Sequence, residues 1–401
     1  MSTILIAGGG IGGLATAVSL AERGHQIVVL ERQAAFAELG AGIQIGPNGF
    51  RAMDRLGIGD EVRERAVYID ELRFMDGTTG QRVQSLRLDE DYQARFANPY
   101  AVVARADLYA PLLAAAQRSP LIDLRSDSAV SGYQQDADGV TLLLADGSSI
   151  RGDLLVGADG IRSTIRRQLV GDGEPRVSGH TIYRSVIPME LVPDDLRWHA
   201  VTLWAGPKWH FVHYPIAGGT LLNLAATRDD GASVAVAGQP AERAHVLGQF
   251  PDLGETARRL LELGADWRVW VLCDRDPISE WSDGRVVLLG DAAHPMLQYA
   301  AQGACMALED AVLLGELLDC PAGEAQYRLE RFVEARRDRT ARTTLVAREL
   351  GTQLYHPAGE ARVVRNEMLS GLSVEDLQDK VAWLHGFDAA RVPDLLPSSG
   401  R

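Results

Sequence analysis

Residues 2–7 are almost continuously apolar, residues 13–23 carry apolar side chains three and four apart, and residues 26–30 are apolar again. That pattern is a buried strand, a helix and a second buried strand, with the intervening glycines as the first turn. Further along, the periodicity predicts a glycine-rich loop at 36–46, a helix over 47–56, strands over 72–88 about an Asp76-Gly77 turn, and a polar connection over 89–98. A helix opens at Arg105 and runs to about residue 118, a hairpin follows over 131–150 about Asp146-Gly147, and an apolar strand at 153–157 leads into a helix at 161–169. From 180 to about 226 the period becomes two, with strands near 201–204, 209–214 and 221–226 and no helix between them. A separate antiparallel sheet is the expectation there. A helix at 252–263, a buried strand at 285–289, a helix at 303–318 and a long helical stretch at 324–354 complete the pattern.

The sheet block lies between two parts of a βα pattern. The fold class is therefore α/β, with a discontinuous Rossmann-like nucleotide domain over 1–72, 99–172 and 273–345. Segments 73–98 and 173–272 form an antiparallel β-sheet substrate domain, and 346–401 a C-terminal helical segment. In the long helix, Arg328, Arg331, Arg336, Arg337, Arg339, Arg342 and Arg348 are interleaved with Glu330, Glu334, Asp338 and Glu349. Such spacing predicts a solvated, ion-paired face rather than an anion site.

Composition narrows the partners. A net charge of −14 argues against a nucleic-acid backbone or an anionic membrane surface. Cys273, Cys305 and Cys320 have no metal-ligand or redox spacing, so they read as reduced thiols of a cytoplasmic protein with no metal site. No apolar stretch approaches a membrane span.

The first turn carries the chemistry. Gly8-Gly9-Gly10-Ile11-Gly12-Gly13 fits G-x-G-x-x-G between a strand and a helix. Gly8 permits the tight turn, Gly10 lets backbone approach a pyrophosphate, and Gly13 lets helix and strand pack closely. Phosphates then sit on the helix N-terminus, where free N–H groups and the positive end of the dipole attract anions. Glu31 ends the second strand 18 residues beyond Gly13, placed to accept from a ribose diol. The motif leaves FAD and NAD both open. Asp159 stands at the C-terminal end of a predicted parallel strand, the side on which open α/β sheets bind ligands.

Taken with Gly157-Ala158-Asp159-Gly160 and Gly290-Asp291-Ala292-Ala293-His294-Pro295, the fingerprint resembles the single-component FAD-dependent aromatic hydroxylases. The resemblance implies bound FAD, with Glu31 on the adenosine ribose, Asp159 serving FAD and nicotinamide binding, Asp291 on the ribityl chain and Arg105 on the flavin. It adds Arg32, Gln44, Gly303 and Ala304 to the cofactor set and gives His294 a structural place. An NAD-dependent dehydrogenase explains neither of the later two motifs; a non-catalytic flavoprotein that binds a small aromatic is the other alternative.

Within the family the likeness is strongest to 3-hydroxybenzoate 6-hydroxylases, through His210-Phe211-Val212-His213-Tyr214-Pro215 and Leu297-Gln298-Tyr299, with further similarity at Leu354-Tyr355-His356. Trp209 is a departure, standing where a smaller residue is expected. The implied reaction is para-hydroxylation of 3-hydroxybenzoate by O2 and NADH, NADPH remaining open, through a flavin C4a-hydroperoxide. Decarboxylating salicylate or 6-hydroxynicotinate hydroxylases are the nearest alternatives, and a homodimer is possible. An electrophile attacks a phenolate faster than a phenol, so a base is needed, and histidine suits neutral pH. Strand parity places His210, Val212 and Tyr214 on one face and Trp209, Phe211 and His213 on the other. Parity and resemblance together select His210 over His213 as base; Gln298 is expected to hold the phenol oxygen or a proton-relay water, and the resemblance implies Tyr100 and Tyr214 as donors to a substrate carboxylate.

Overall fold

A computed structural model describes residues 1–37 and 40–392; positions 38–39 of the glycine-rich loop and 393–401 of the C-terminal segment lie outside the described residues. Among the described residues two sheets dominate. The first has six strands in the order Ser282–Asp283, Val286–Leu288, Leu154–Gly157, Thr3–Ala7, Gln26–Leu30 and Ile122–Arg125. Thr3–Ala7 lies between two parallel neighbours, which is why it is apolar at nearly every position. Helices Ile11–Ala21 and Gly303–Leu318 cross so closely that a Cβ on Gly315 would meet Ser19 Oγ at 2.1 Å.

The second sheet runs Gln239–Pro240, Arg268–Asp274, Arg176–Pro188, Leu221–Ala232, Trp209–Ile216, Ala200–Gly206, Glu71–Asp76 and Arg82–Arg87. Its pairings are antiparallel except that Ala200–Gly206 runs parallel to Glu71–Asp76. Those two strands come from separate passes of the chain, so no hairpin dictates their direction. Alternation along Trp209–Ile216 buries Trp209 and Phe211 with Trp204 and Phe250 on one face. Val212 and Tyr214 join Tyr100 on the other.

Three local expectations change. The polar connection contains a helix, Glu90–Phe96, because the Asp89 side chain caps it by accepting from Tyr92 N–H and because Tyr92 and Phe96 reach the core. The predicted hairpin is a three-stranded meander, Val130–Gln135, Val140–Leu144 and Ser149–Gly152. Its extra turn forms where Asp136 accepts from the N–H groups of Asp138 and Gly139.

The arginine face of Ala325–Glu349 is also not uniformly solvated. Arg336 is fully buried between Glu309 and Asp310 of the Gly303–Leu318 helix, and Arg339 pairs with Glu309 as well. The expected surface pairs survive only at positions such as Arg328–Glu324 and Arg331–Glu334. Beyond Glu349 the helix widens into a π-helical turn, Leu350–Tyr355, which delivers Tyr355 and His356 to the second sheet. Helices Gly359–Ser370 and Val374–His385 follow. No helix among the described residues is long and apolar enough to cross a membrane.

Candidate active site

The glycines of the first turn have different reasons to be glycine. Gly8 has φ +107°, and a Cβ there would lie 2.3 Å from the Ala158 carbonyl oxygen; at Gly13 it would lie 1.9 Å from that of Gly8. Gly10 has an ordinary φ of −76° and nothing within 4 Å of its would-be Cβ. Neither conformation nor packing in the chain requires a glycine there. What it leaves open is the space before the Ile11–Ala21 helix, whose N-terminus has no side-chain cap. An uncapped helix end behind a cleared approach fits the pyrophosphate of a dinucleotide.

Other cofactor candidates surround that opening. Glu31 accepts from Gly9 N–H at 2.9 Å and Gln33 N–H at 2.8 Å. Tyr109, which sequence reasoning missed, donates to the Gly9 carbonyl at 2.8 Å and holds the turn from below. Arg32 is exposed beside Glu31, and Arg105 begins the Arg105–Arg118 helix against Gly40. Asp159 is committed to its own helix: its carboxylate accepts from Ser163 O–H and from Thr164 N–H at 2.7 Å. That strand end therefore offers a ligand the shape of its turn more than a free carboxylate. Asp291 is exposed in the Gly290–Ala292 turn, close to Gly303 and Ala304 at the uncapped start of the Gly303–Leu318 helix.

The putting together of the substrate side falls to one strand face. Tyr100 O–H donates to Gln44 Oε1 at 2.6 Å, and Tyr214 is packed in the same buried cluster as Tyr100. Burial pushes the Tyr214 phenol up to about 12 and Tyr100 well above the ordinary tyrosine value, so both remain neutral O–H groups. Four residues along from Tyr214, about 13 Å of strand, His210 is 2% exposed. Burial first, then the neighbouring His356 and His180, hold its imidazole well below the usual histidine range. Gln298 opens a short 3-10 turn, Gln298–Ala300, and its Oε1 accepts from Arg184. With that oxygen engaged, the amide N–H2 is the free end.

His213 faces away, stacked with Trp204 at 6.3 Å. Trp209 likewise lies over Gly77 and Gly206 in the opposite core, so its bulk does not border the His210 face.

Around His210 is a cluster that the sequence did not announce. His210 Nδ1 and His356 Nε2 share a hydrogen bond of 2.8 Å, and the rings of Tyr299 and Tyr355 each lie 5.1 Å from the His210 ring. Tyr299 O–H reaches His180 Nδ1 at 2.6 Å, and Tyr355 O–H donates to the Tyr299 carbonyl at 2.9 Å. Tyr299, Tyr355 and His356 stood inside motifs that carried the family likeness, which was the available signal.

The model of the FAD binding domain family matches residues 1–213 and 255–347. 3-Hydroxybenzoate 6-hydroxylase 1 of Aquipseudomonas alcaligenes is 45% identical over 389 residues, spanning 96% of this chain and 98% of that protein. The 3-hydroxybenzoate 6-hydroxylase of Polaromonas naphthalenivorans is 42% identical over 96% of each. The chain belongs to the FAD-dependent aromatic hydroxylases. Among solved structures, a salicylate hydroxylase substrate complex matches with a TM-score of 0.84 at 26% identity, over 100% of this chain and 99% of the other. Klebsiella pneumoniae HpxO complexed with FAD and uric acid matches at 0.83 and 25% identity, over 96% and 97%.

In this hydroxylase His294 stabilises the Gly290–Ala292 turn. Its Nε2 lies 2.6 Å from Asp310 Oδ2, which also accepts from Gly290 N–H at 3.0 Å. Asp310 is held down to about 2, burial being outweighed by His294 and Arg336 together with its hydrogen bonds. The turn bearing Asp291 is thus tied to the buried ion network beneath it.

Proposed function

We propose that this hydroxylase converts 3-hydroxybenzoate to 2,5-dihydroxybenzoate (gentisate), using O2 and NADH, in the cytoplasm. The observation that carries the reading is the strand face with His210 at one end and Tyr214 at the other, where Tyr214 packs with Tyr100 and both phenols stay neutral. The 3-hydroxybenzoate 6-hydroxylases that match nearly the whole chain at 41–45% identity support it.

FAD would be held by Gly8, Gly10, Gly13, Glu31, Arg32, Gln44, Arg105, Asp159, Asp291, Gly303 and Ala304, and when reduced it supplies electrons and an electrophilic oxygen. The chain's own residues do the rest. When His210 Nδ1–H donates to His356, its Nε2 lone pair is left to take the phenolic proton. Gln298 N–H2 donates to the resulting phenolate oxygen. Tyr214 donates to the carboxylate, and Tyr100 does so by turning its O–H away from Gln44 Oε1. Two anchors stop the ring from turning, and near-attack placement then decides which activated carbon reacts. A phenolate enriches its ortho and para carbons; family likeness supplies the orientation that presents the para carbon.

The test is aerobic NADH oxidation with a panel of hydroxybenzoates, scoring hydroxylated product and hydrogen peroxide. Gentisate from 3-hydroxybenzoate is expected. Mainly 3,4-dihydroxybenzoate would overturn the orientation, and catechol from salicylate would move the chain to the decarboxylating relatives.

A further inference from the structure

His180, Asp229 and His356 belong to three separate passes of the chain, at no spacing that reads as a metal motif, yet the fold holds them in register. His180 and Asp229 are direct partners across Arg176–Pro188 and Leu221–Ala232, so their side chains share a face. Lys208 staples the third: its N–H donates to the His356 carbonyl at 3.0 Å, and its carbonyl accepts from Asp229 N–H at 2.8 Å. A nitrogen from each ring and an Asp229 carboxylate oxygen lie within 4.8 Å of one another.

Three further observations point to a ligand. His356 is 6% exposed, and its Nδ1 is buried without a hydrogen-bond partner, an unusual state for a polar atom. The remote nitrogens of both histidines are engaged, His180 Nδ1 by Tyr299 and His356 Nε2 by His210, the arrangement that orients metal-bound imidazoles. The surrounding charge favours a cation: Asp229, Asp230 and Asp274 face His180 against Arg176, and Arg348 takes up Asp274. The Asp229 side chain is 38% exposed, which gives an entry.

We propose that His180, Asp229 and His356 form a site for a divalent cation of the zinc class, and that its occupation switches off the His210 base. Two imidazoles and a carboxylate are a donor set that suits Zn2+ with one position left to water. Closing to metal–ligand bonds of about 2.0–2.2 Å needs a small inward movement, which the partly exposed Asp229 can make.

The switch follows from counting protons on the two coupled rings. Before binding, His356 carries its proton on Nδ1 and His210 carries its own on Nδ1. A metal on His356 Nδ1 moves that proton to Nε2, which now donates to His210 Nδ1. His210 stays neutral only by carrying its proton on Nε2, the nitrogen that must be vacant to take the phenolic proton. Two protons are present before and after; only their places change.

This inference rests on His210 as the base, so binding and turnover are measured separately. Equilibrium dialysis of the FAD-loaded enzyme against Zn2+ should give one zinc per chain, and Asp229→Asn or His180→Gln should weaken it at least about tenfold. Zinc should inhibit gentisate formation by the unmodified enzyme and be reversed by EDTA. Asp229→Asn should keep its zinc-free rate and lose the sensitivity, while Cys273→Ser should behave like the unmodified enzyme. Absence of stoichiometric binding, or sensitivity that survives Asp229→Asn or disappears in Cys273→Ser, would overturn the site. Asp229-dependent binding without inhibition would overturn the switch and place the failure in the His210 reading.

Discussion

A histidine can act as a base only while uncharged, and burial keeps His210 in that state below the ordinary histidine range. The rate of substrate hydroxylation should therefore stay level as pH falls through about 6.5 and decline only below it. An acid limb centred at or above that value in the kcat/KM profile would contradict the assignment. His210→Ala should slow hydroxylation by roughly 10²–10⁴ with FAD content unchanged, measured by product formation and flavin absorbance. His213→Ala, altering the opposite face, should affect stability more than rate. The division between these two histidines is legible in the sequence because strand parity is local. His356 is not, since a hydrogen bond to a residue 146 positions away leaves no periodic trace.

Helices and strands were legible where their periodicity was strong, as in Pro47–Arg55, Arg105–Arg118 and Gly303–Leu318. Glu90–Phe96 was hidden because only two of its residues reach the core, and Arg336 because its acidic partners lie on another helix. Those partners make a sharp contrast testable by urea unfolding. Arg336→Met should lose about 3–5 kcal/mol, since it removes the guanidinium shared by two buried carboxylates and leaves each with a single cationic or imidazole partner, Arg339 or His294. Arg328→Ala, on a pair 33% and 46% exposed, should lose less than about 1 kcal/mol.

The first turn offers another contrast. Gly10→Ala should leave the flavin-stripped fold within about 1 kcal/mol of the parent while weakening FAD binding in a fluorescence titration. Gly13→Ala drives a methyl group into the Gly8 carbonyl and should destabilise the fold itself by about 1–3 kcal/mol or more. Equal loss of stability in both variants would remove the case for a cleared approach at Gly10.

Across the whole molecule, His25, His180, His210, His213, His356 and His385 are six of nine histidines, and all are lowered chiefly by burial. Unfolded, they bind protons near pH 6.5; folded, His213, His356 and His385 resist until about 3. Their stabilisation is therefore present above pH 6.5 and is lost progressively as pH falls toward 3, by at most about 1.4 kcal/mol per pH unit for each wholly buried ring. The melting temperature should drop between pH 7 and 5, and a flat profile in scanning calorimetry would refute this. The strand order has a consequence of a different kind. Leu154–Gly157 is flanked on one side by Thr3–Ala7 and on the other by Val286–Leu288, which lies far later in the chain. While the protein is being synthesised, the edge beside Leu154–Gly157 has to wait for most of the remaining chain to leave the ribosome, with six of the eight strands of the second sheet emerging in the interval. An open strand edge is a template for pairing with another chain. The nascent polypeptide is thus at its stickiest in mid-translation, and a message cut short before Val286 encodes an aggregation-prone product although every residue of the glycine turn is in place.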